Sequence, residues 1–232
     1  AEQSQATAAA PTGETPLAPA LTVSTTLPWT IGSQPGAQRS VSNCNASGAG
    51  SLLAAINAAV TGDEIVIDST LDCTYTSGFT LPKITTGWVV IRTSSYSSLP
   101  AQGTRIDPTD HAQYMPRLTW NATGQEFFRP AAAARGYWFV GLELRYQPMS
   151  SPQARALVKG LSTSSTEANM CNEIMIDRCW LHGSALGTYI RPIQPGGRYF
   201  GVVDSYIHDA HDGGQLECQG IANPDGMGPY LF

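Results

Sequence analysis

The sequence predicts an all-β solenoid, a coil of parallel strands stacked turn on turn, and three observations carry the prediction. The first is a repeat. The run from Ile174 to His182 is written again from Phe200 to His208, and matching Asp177 to Asp204 makes the interval between them one period. An earlier copy from Tyr137 to Leu144 puts Glu143 at the same place, a somewhat longer interval upstream of Asp177. Repeats of this kind on β-rich runs are the mark of solenoids. The second is composition: 13% of the 232 residues are charged against 42% hydrophobic, with 23 Gly and 16 Pro, a balance that suits short strands and many turns and excludes coiled coils. The third is the supply of short β-rich runs bounded by Ser, Gly and Pro.

Taken in order, residues 1–40 form an extended low-complexity tail rich in Ala, Thr, Pro, Gln and Ser. Leu21–Leu27 alternates apolar and hydroxyl residues as a strand does. Such a tail is seldom ordered unless something holds it, so it is expected to pack on this chain's flank or on a neighbouring subunit. Residues 41–232 form the solenoid domain. Ser51–Val60 is the one convincing helix, since Ala and Leu dominate and Leu52, Ile56 and Ala59 share a face. Gly62 stops it and Asp63–Ile67 begins a strand. Phe79–Leu81, Trp88–Ile91 and Arg117–Trp120 are further strands, and Tyr230–Phe232 starts another, with Leu231 about one period beyond Val203. The chain is therefore expected to be either a fragment or a molecule whose upper edge another chain covers.

The helix pattern Leu52, Leu53, Ala54, Ala55, Ile56 to Ala59, then Gly62-Asp63, then Ile65-Val66-Ile67, resembles the start of secreted right-handed parallel β-helix proteins of the pectate-lyase-like superfamily. The resemblance spans about Gly48 to Phe232. It implies a right-handed parallel β-helix whose short helix caps the open lower end.

Other classes are excluded or narrowed. A net charge of −5 with 13 Lys and Arg offers no basic field for nucleic acid. No apolar run approaches the roughly 20 residues of a membrane span. The chain opens on Ala1, and the expectation is a secreted, extracellular protein whose signal has been removed. Five cysteines without paired metal spacing favour disulfides, and Cys44 with Cys73, one coil apart, is the expected bond. Among Cys171, Cys179 and Cys218 one thiol is left over, buried or joined to another chain.

Three constellations carry candidate chemistry. Glu143, Asp177 and Asp204 are expected as an outward ladder of acids about 4.8 Å apart, with Leu142, Ile176 and Val203 inward. Stacked carboxylates repel unless a cation neutralises them, and calcium is the natural one. The resemblance to pectate lyases implies calcium on such acids and an Arg base, for which Arg178 and Arg145 are available. The alternative, which we prefer, is that the acids end strands with the arginines as counter-ions. His182, His208, Asp209, His211, Asp212 and Glu217 form the second set, read as a hydrated loop with two stacked histidines in preference to a metal or acid-base site. The third is a set of aromatics, Tyr137, Trp138, Trp180, Tyr189, Tyr199 and Tyr206, whose outward members suit sugar rings while the rest fill the core. Two functions follow: a secreted structural or adhesive subunit that self-assembles through its tail and open coil ends into a filament, or a polysaccharide lyase or glycoside hydrolase acting on acidic polysaccharide. The first is favoured.

Overall fold

A run of β-branched and aromatic residues that alternates in and out satisfies its backbone groups by pairing with a neighbour, and here the neighbour is the next coil of the same chain. The structure is a computed structural model and describes residues 26–122, 126–147, 153–154, 156–160, 169–183, 188–189, 191–210, 219–221 and 230–232. The chain enters through β1 (Gln38–Val41) and α1 (Leu52–Ala58), then winds. One coil is β2 (Glu64–Ile67), β3 (Asp72–Tyr75) and β4 (Phe79–Leu81); the next is β5 (Val89–Thr93), β6 (Arg117–Trp120) and β7 (Glu126–Pro130). Then follow β8 (Arg135–Val140), β9 (Glu143–Tyr146), β10 (Gln153–Ala154) and β11 (Ala156–Lys159). After them come β12 (Cys171–Asp177), β13 (Trp180–His182), β14 (Thr188–Tyr189) and β15 (Ile193–Gln194), and last β16 (Gly197–Val203), β17 (Tyr206–His208) and β18 (Tyr230–Leu231).

Each coil visits three sheets in turn. The first is β1-β2-β5-β8-β12-β16-β18, the second β3-β6-β9-β13-β17, the third β4-β7-β11-β15, with β10 and β14 as a small fourth pair. Every described pairing is parallel, so the fold is a parallel β-solenoid. Like residues stack along its interior. Ile65, Ile91, Phe139, Ile176 and Val202 form one column, and Cys73, Leu118, Leu144, Leu181 and Ile207 another. Phe79, Phe128, Val158 and Ile193 form the third. All belong to one core.

The register corrects the expected period. Asp177 pairs with Val203 and Ile176 with Val202, so the coil repeat is one short of the interval from Asp177 to Asp204. The residues that correspond are Gly141, Arg178 and Asp204, all left-handed, with φ of 63°, 48° and 51°. Each bends the chain from the first sheet into the second, which is why the runs 137–144, 174–182 and 200–208 are each two strands. A slip of one residue exchanges faces. Val202 therefore points into the core, whereas Val203, expected inward, packs outside against a second apolar cluster.

At the lower end, Ser51 caps α1 by accepting from the Ala54 amide at 3.2 Å, and Leu52, Ala55 and Ile56 bury against the core. A disulfide joins Cys44 to Cys73, as expected, across a sequence separation of 29. The described solenoid begins at Gln38, within the stretch expected as tail, and β1 precedes the strand expected to be first. Leu21–Thr25 lies outside the described residues.

Two segments cover the outside of the first sheet. Residues 26–37 lie against it, with Trp29 Nε1 donating to Glu64 Oε1 at 2.8 Å and the Gly32 amide at 3.2 Å. The buried Arg92 guanidinium holds the other Glu64 oxygen at 2.8 Å. Residues 94–116, which include α2 (Pro108–His111), leave the second coil as a strap running up the sheet. Leu99, Ile106 and Met115 of the strap bury against Val90, Trp138, Val140 and Met175. Its fastening is Arg178, which grips Asp177 with two bonds of 2.8 and 2.9 Å, donates to the Pro100 carbonyl at 3.0 Å and lies over the Tyr96 ring. Higher up, the Gly103 and Ile106 amides donate to Asp204 at 2.6 and 2.9 Å.

Both members of the Asp177–Arg178 pair are almost wholly buried. Arg178→Ala leaves a buried carboxylate uncompensated and releases the strap, and it should cost about 3–5 kcal/mol in urea unfolding. A loss under about 1 kcal/mol would contradict this clamp.

Candidate functional site

Strand alternation turns two rows of side chains outward on the second sheet. One row is Asp72, Arg117, Glu143, Trp180 and Tyr206, and the other is Thr74, Thr119, Arg145, His182 and His208. The lower half is a charge lattice. Arg117 bridges Asp72 at 3.0 Å and Glu143 at 2.7 Å, and His182 Nε2 meets the same Glu143 oxygen at 3.0 Å. Burial on its own would raise the proton affinity of Glu143, but hydrogen bonds and charge from His182 and Arg117 outweigh it and hold the carboxyl below its usual range.

The upper half is a platform of rings. Trp180 stacks on His182 with centroids 4.2 Å apart, and His182 lies parallel to His208 at 5.1 Å. Tyr206 tilts against His208 at 5.3 Å. The Trp180 indole donates to His208 Nε2 at 2.7 Å, and Asp209 holds the opposite nitrogen at 2.9 Å, so the ring's orientation is fixed from both sides. The strap supplies a facing wall of Arg105, Asp107 and Thr109, enclosing a cleft of about 440 Å³. Arg105 rests over the Tyr206 ring at 5.3 Å.

The expected acid ladder does not form. Glu143 stands on the second sheet beside Trp180, Asp177 ends β12 on the first, and Asp204 sits at the bend one residue out of step with Asp177. Each is engaged separately, Glu143 by Arg117 and His182, Asp177 by Arg178 and Asp204 by the strap amides. They do not converge on a shared calcium position, and among the described residues no three His, Cys, Asp or Glu side chains gather as metal ligands. Arg178 is buried, and hydrogen bonding and charge from Asp177 overcome burial to raise its proton affinity further, the opposite of what a base requires. Arg145 donates to Gln147 from the outer face of β9, next to His182 on the neighbouring strand. His211, Asp212, Glu217 and Cys218 lie outside the described residues, as does the Tyr189 side chain. Tyr137 and Trp138 are buried, while Trp180 and Tyr206 are half-buried on the outer face. Cys171 and Cys179 are buried thiols, each pushed up to about 12 by burial, which makes them inert.

A second cluster, on the third sheet, was invisible in the sequence because its members are scattered. Outward of the column Phe79, Phe128, Val158 and Ile193 runs a row of Thr80, Arg129, Lys159 and Gln194. Arg129 and Lys159 follow the paired Phe128 and Val158, which sets two cations on adjacent strands about 4.8 Å apart. Among the described residues a single acid answers them. Glu126 accepts from Lys159 Nζ at 2.7 Å and lies 3.9 Å from Arg129. Beside the row opens a cleft of about 430 Å³ lined by Thr76, Ser77, Thr80, Glu126 and Arg129. Knowledge of the register was the missing signal.

The lowered proton affinity of Glu143 fixes a pH dependence. Its contribution to stability is complete above the unfolded-state value, about 4.3, and is lost as pH falls through the lower folded-state value. Wild-type protein should lose stability in urea as pH falls below about 4.3, and Glu143→Gln should flatten that slope; identical slopes would contradict the lattice. No protein-family model, curated protein or solved structure matches this chain, so its function is argued from these two faces.

Proposed function

We propose that this protein is a secreted, right-handed parallel β-helix of the pectate-lyase-like kind that acts as an adhesive structural subunit by holding an acidic polysaccharide. The observation that carries the reading is the row on the third sheet, where Arg129 lines an open, hydroxyl-lined cleft and the buried Lys159 holds the Glu126 carboxylate that would otherwise oppose an anion there. A cleft of this volume suits a small sugar segment. Arginine with Thr and Ser hydroxyls matches carboxylates and ring hydroxyls. A chain of net charge −5 has no general attraction for a polyanion, so retention on one must arise at such a local row. Right-handed winding accords with the strong preference of parallel crossovers, and the Cys44–Cys73 disulfide accords with an oxidising compartment.

Self-association is the second reading. It is favoured by β1, the end strand of the first sheet, whose outer edge suits strand addition by another copy. It ranks second because the described residues 26–37 fasten onto their own chain through Glu64.

The test is electrophoresis through gels containing polygalacturonate, with mobility compared in its absence. Wild-type protein should be retarded, the retardation should weaken with salt, and Arg129→Ala should bind about tenfold more weakly. Unchanged wild-type mobility would overturn the reading. Release of unsaturated oligosaccharide from the same polymer would move it from adhesion to lysis.

A further inference from the structure

We infer that the ring platform on the second sheet is a separate carbohydrate site, one that takes the flat face of an uncharged pyranose rather than an acidic sugar. Three observations converge on it. Trp180, His182, His208 and Tyr206 form a continuous set of ring contacts on one outer face, and three of the four rings are half-buried rather than sealed in the core. The platform does not lie open on a flat surface, because the strap raises Arg105, Asp107 and Thr109 opposite it to enclose a cleft of about 440 Å³. The rings are also held in place. The indole N–H is spent on His208, His208 is held by Asp209, and His182 is held by Glu143 and the Gly183 carbonyl.

Of the four rings, Trp180, His208 and Tyr206 line the cleft, and their fixed, partly apolar surfaces with a polar rim match a sugar ring, which has C–H groups on one face and hydroxyls around its edge. Arg105 and Thr109 offer donors and Asp107 an acceptor to such hydroxyls. The charge balance gives an acidic sugar no advantage: Arg105 and Asp107 line the cleft as one cation to one acid, and Asp209 stands behind His208. The same acids, with the chain's net charge, disfavour a nucleotide. Packing accounts for part of the platform, since Trp180 and Tyr206 also touch the second apolar cluster. Packing also seats the strap, through Ile106, but Arg105, Asp107 and Thr109 beside it are exposed and line the cleft, with the Arg105 guanidinium over Tyr206. That guanidinium sits where a sugar would lie, and its exposed side chain can swing aside to become the rim donor.

The experiment is affinity electrophoresis of the intact chain in gels containing soluble neutral polysaccharides (hydroxyethylcellulose, galactomannan and arabinoxylan), with polygalacturonate in parallel. At least one neutral polymer should retard wild-type protein, without the salt dependence of an ionic contact. Tyr206→Ala should weaken that retardation about tenfold, and Arg129→Ala should leave it unchanged. Arg105→Ala, at an exposed position, should alter neutral-polymer binding while preserving the melting temperature, and it decides the matter if Tyr206→Ala lowers that temperature. Absence of retardation by every neutral polymer would overturn the inference, as would neutral-polymer binding that neither variant changes. The polygalacturonate lanes report on the third sheet alone, so failure there leaves this site standing, and the reverse.

Discussion

The bend at Gly141, Arg178 and Asp204 is the constraint on which the rest of the molecule depends. A left-handed residue at that point turns each of the three upper coils from the first sheet into the second in a single step, and because it recurs at the same height the strands on either side stack in register. Only glycine adopts this backbone without cost, and a side chain there is strained by about 1–3 kcal/mol. Arg178 and Asp204 accept that strain because their side chains fasten the strap to the solenoid. Gly141 lies under the strap, where an added Cβ would come within 2.5 Å of Leu99.

The strap in turn links the fold to the surface. Its apolar residues make a second core outside the first sheet, and its far end forms the wall that turns a row of rings into a cleft. Two buried ion pairs serve this covering. Glu64 with Arg92 anchors residues 26–37, and Asp177 with Arg178 anchors the strap. Buried pairs of this kind add little net stability compared with apolar packing, yet breaking one is severe, so they act as latches that specify where the covering segments lie. The charged residues most suggestive of catalysis in the sequence are thereby committed to holding the structure.

How much was legible follows from the same physics. The parallel solenoid, the capping helix and the later strands could be read because they are local: a short apolar run flanked by turn residues keeps its character whatever its partner. The register could not. Matching Asp177 to Asp204 satisfied the eye, since like residues aligned, but the backbone aligns conformations, and the equivalent of Asp204 is Arg178. That slip turned Val203 inward, and a separate misalignment set Glu143, whose partner is Trp180, level with Asp177, whose partner is Val140. The stacked His182 and His208 were anticipated because they stand one true coil apart in the sequence, the same offset at which Trp180 pairs with Tyr206. The row of Arg129 and Lys159 went unseen for the converse reason, since a whole coil of sequence separates side chains that only the pairing of β7 with β11 brings together.

Everything said of both outer faces follows from the register, so the most direct measurement is the pattern of methyl contacts between β12 and β16 by nuclear Overhauser spectroscopy on methyl-labelled protein. The Ile176 methyls should contact those of Val202 across the interior, with Val203 instead reaching Met175 or the strap outside. Contacts from Ile176 to Val203, with Val202 facing outward, would contradict the account.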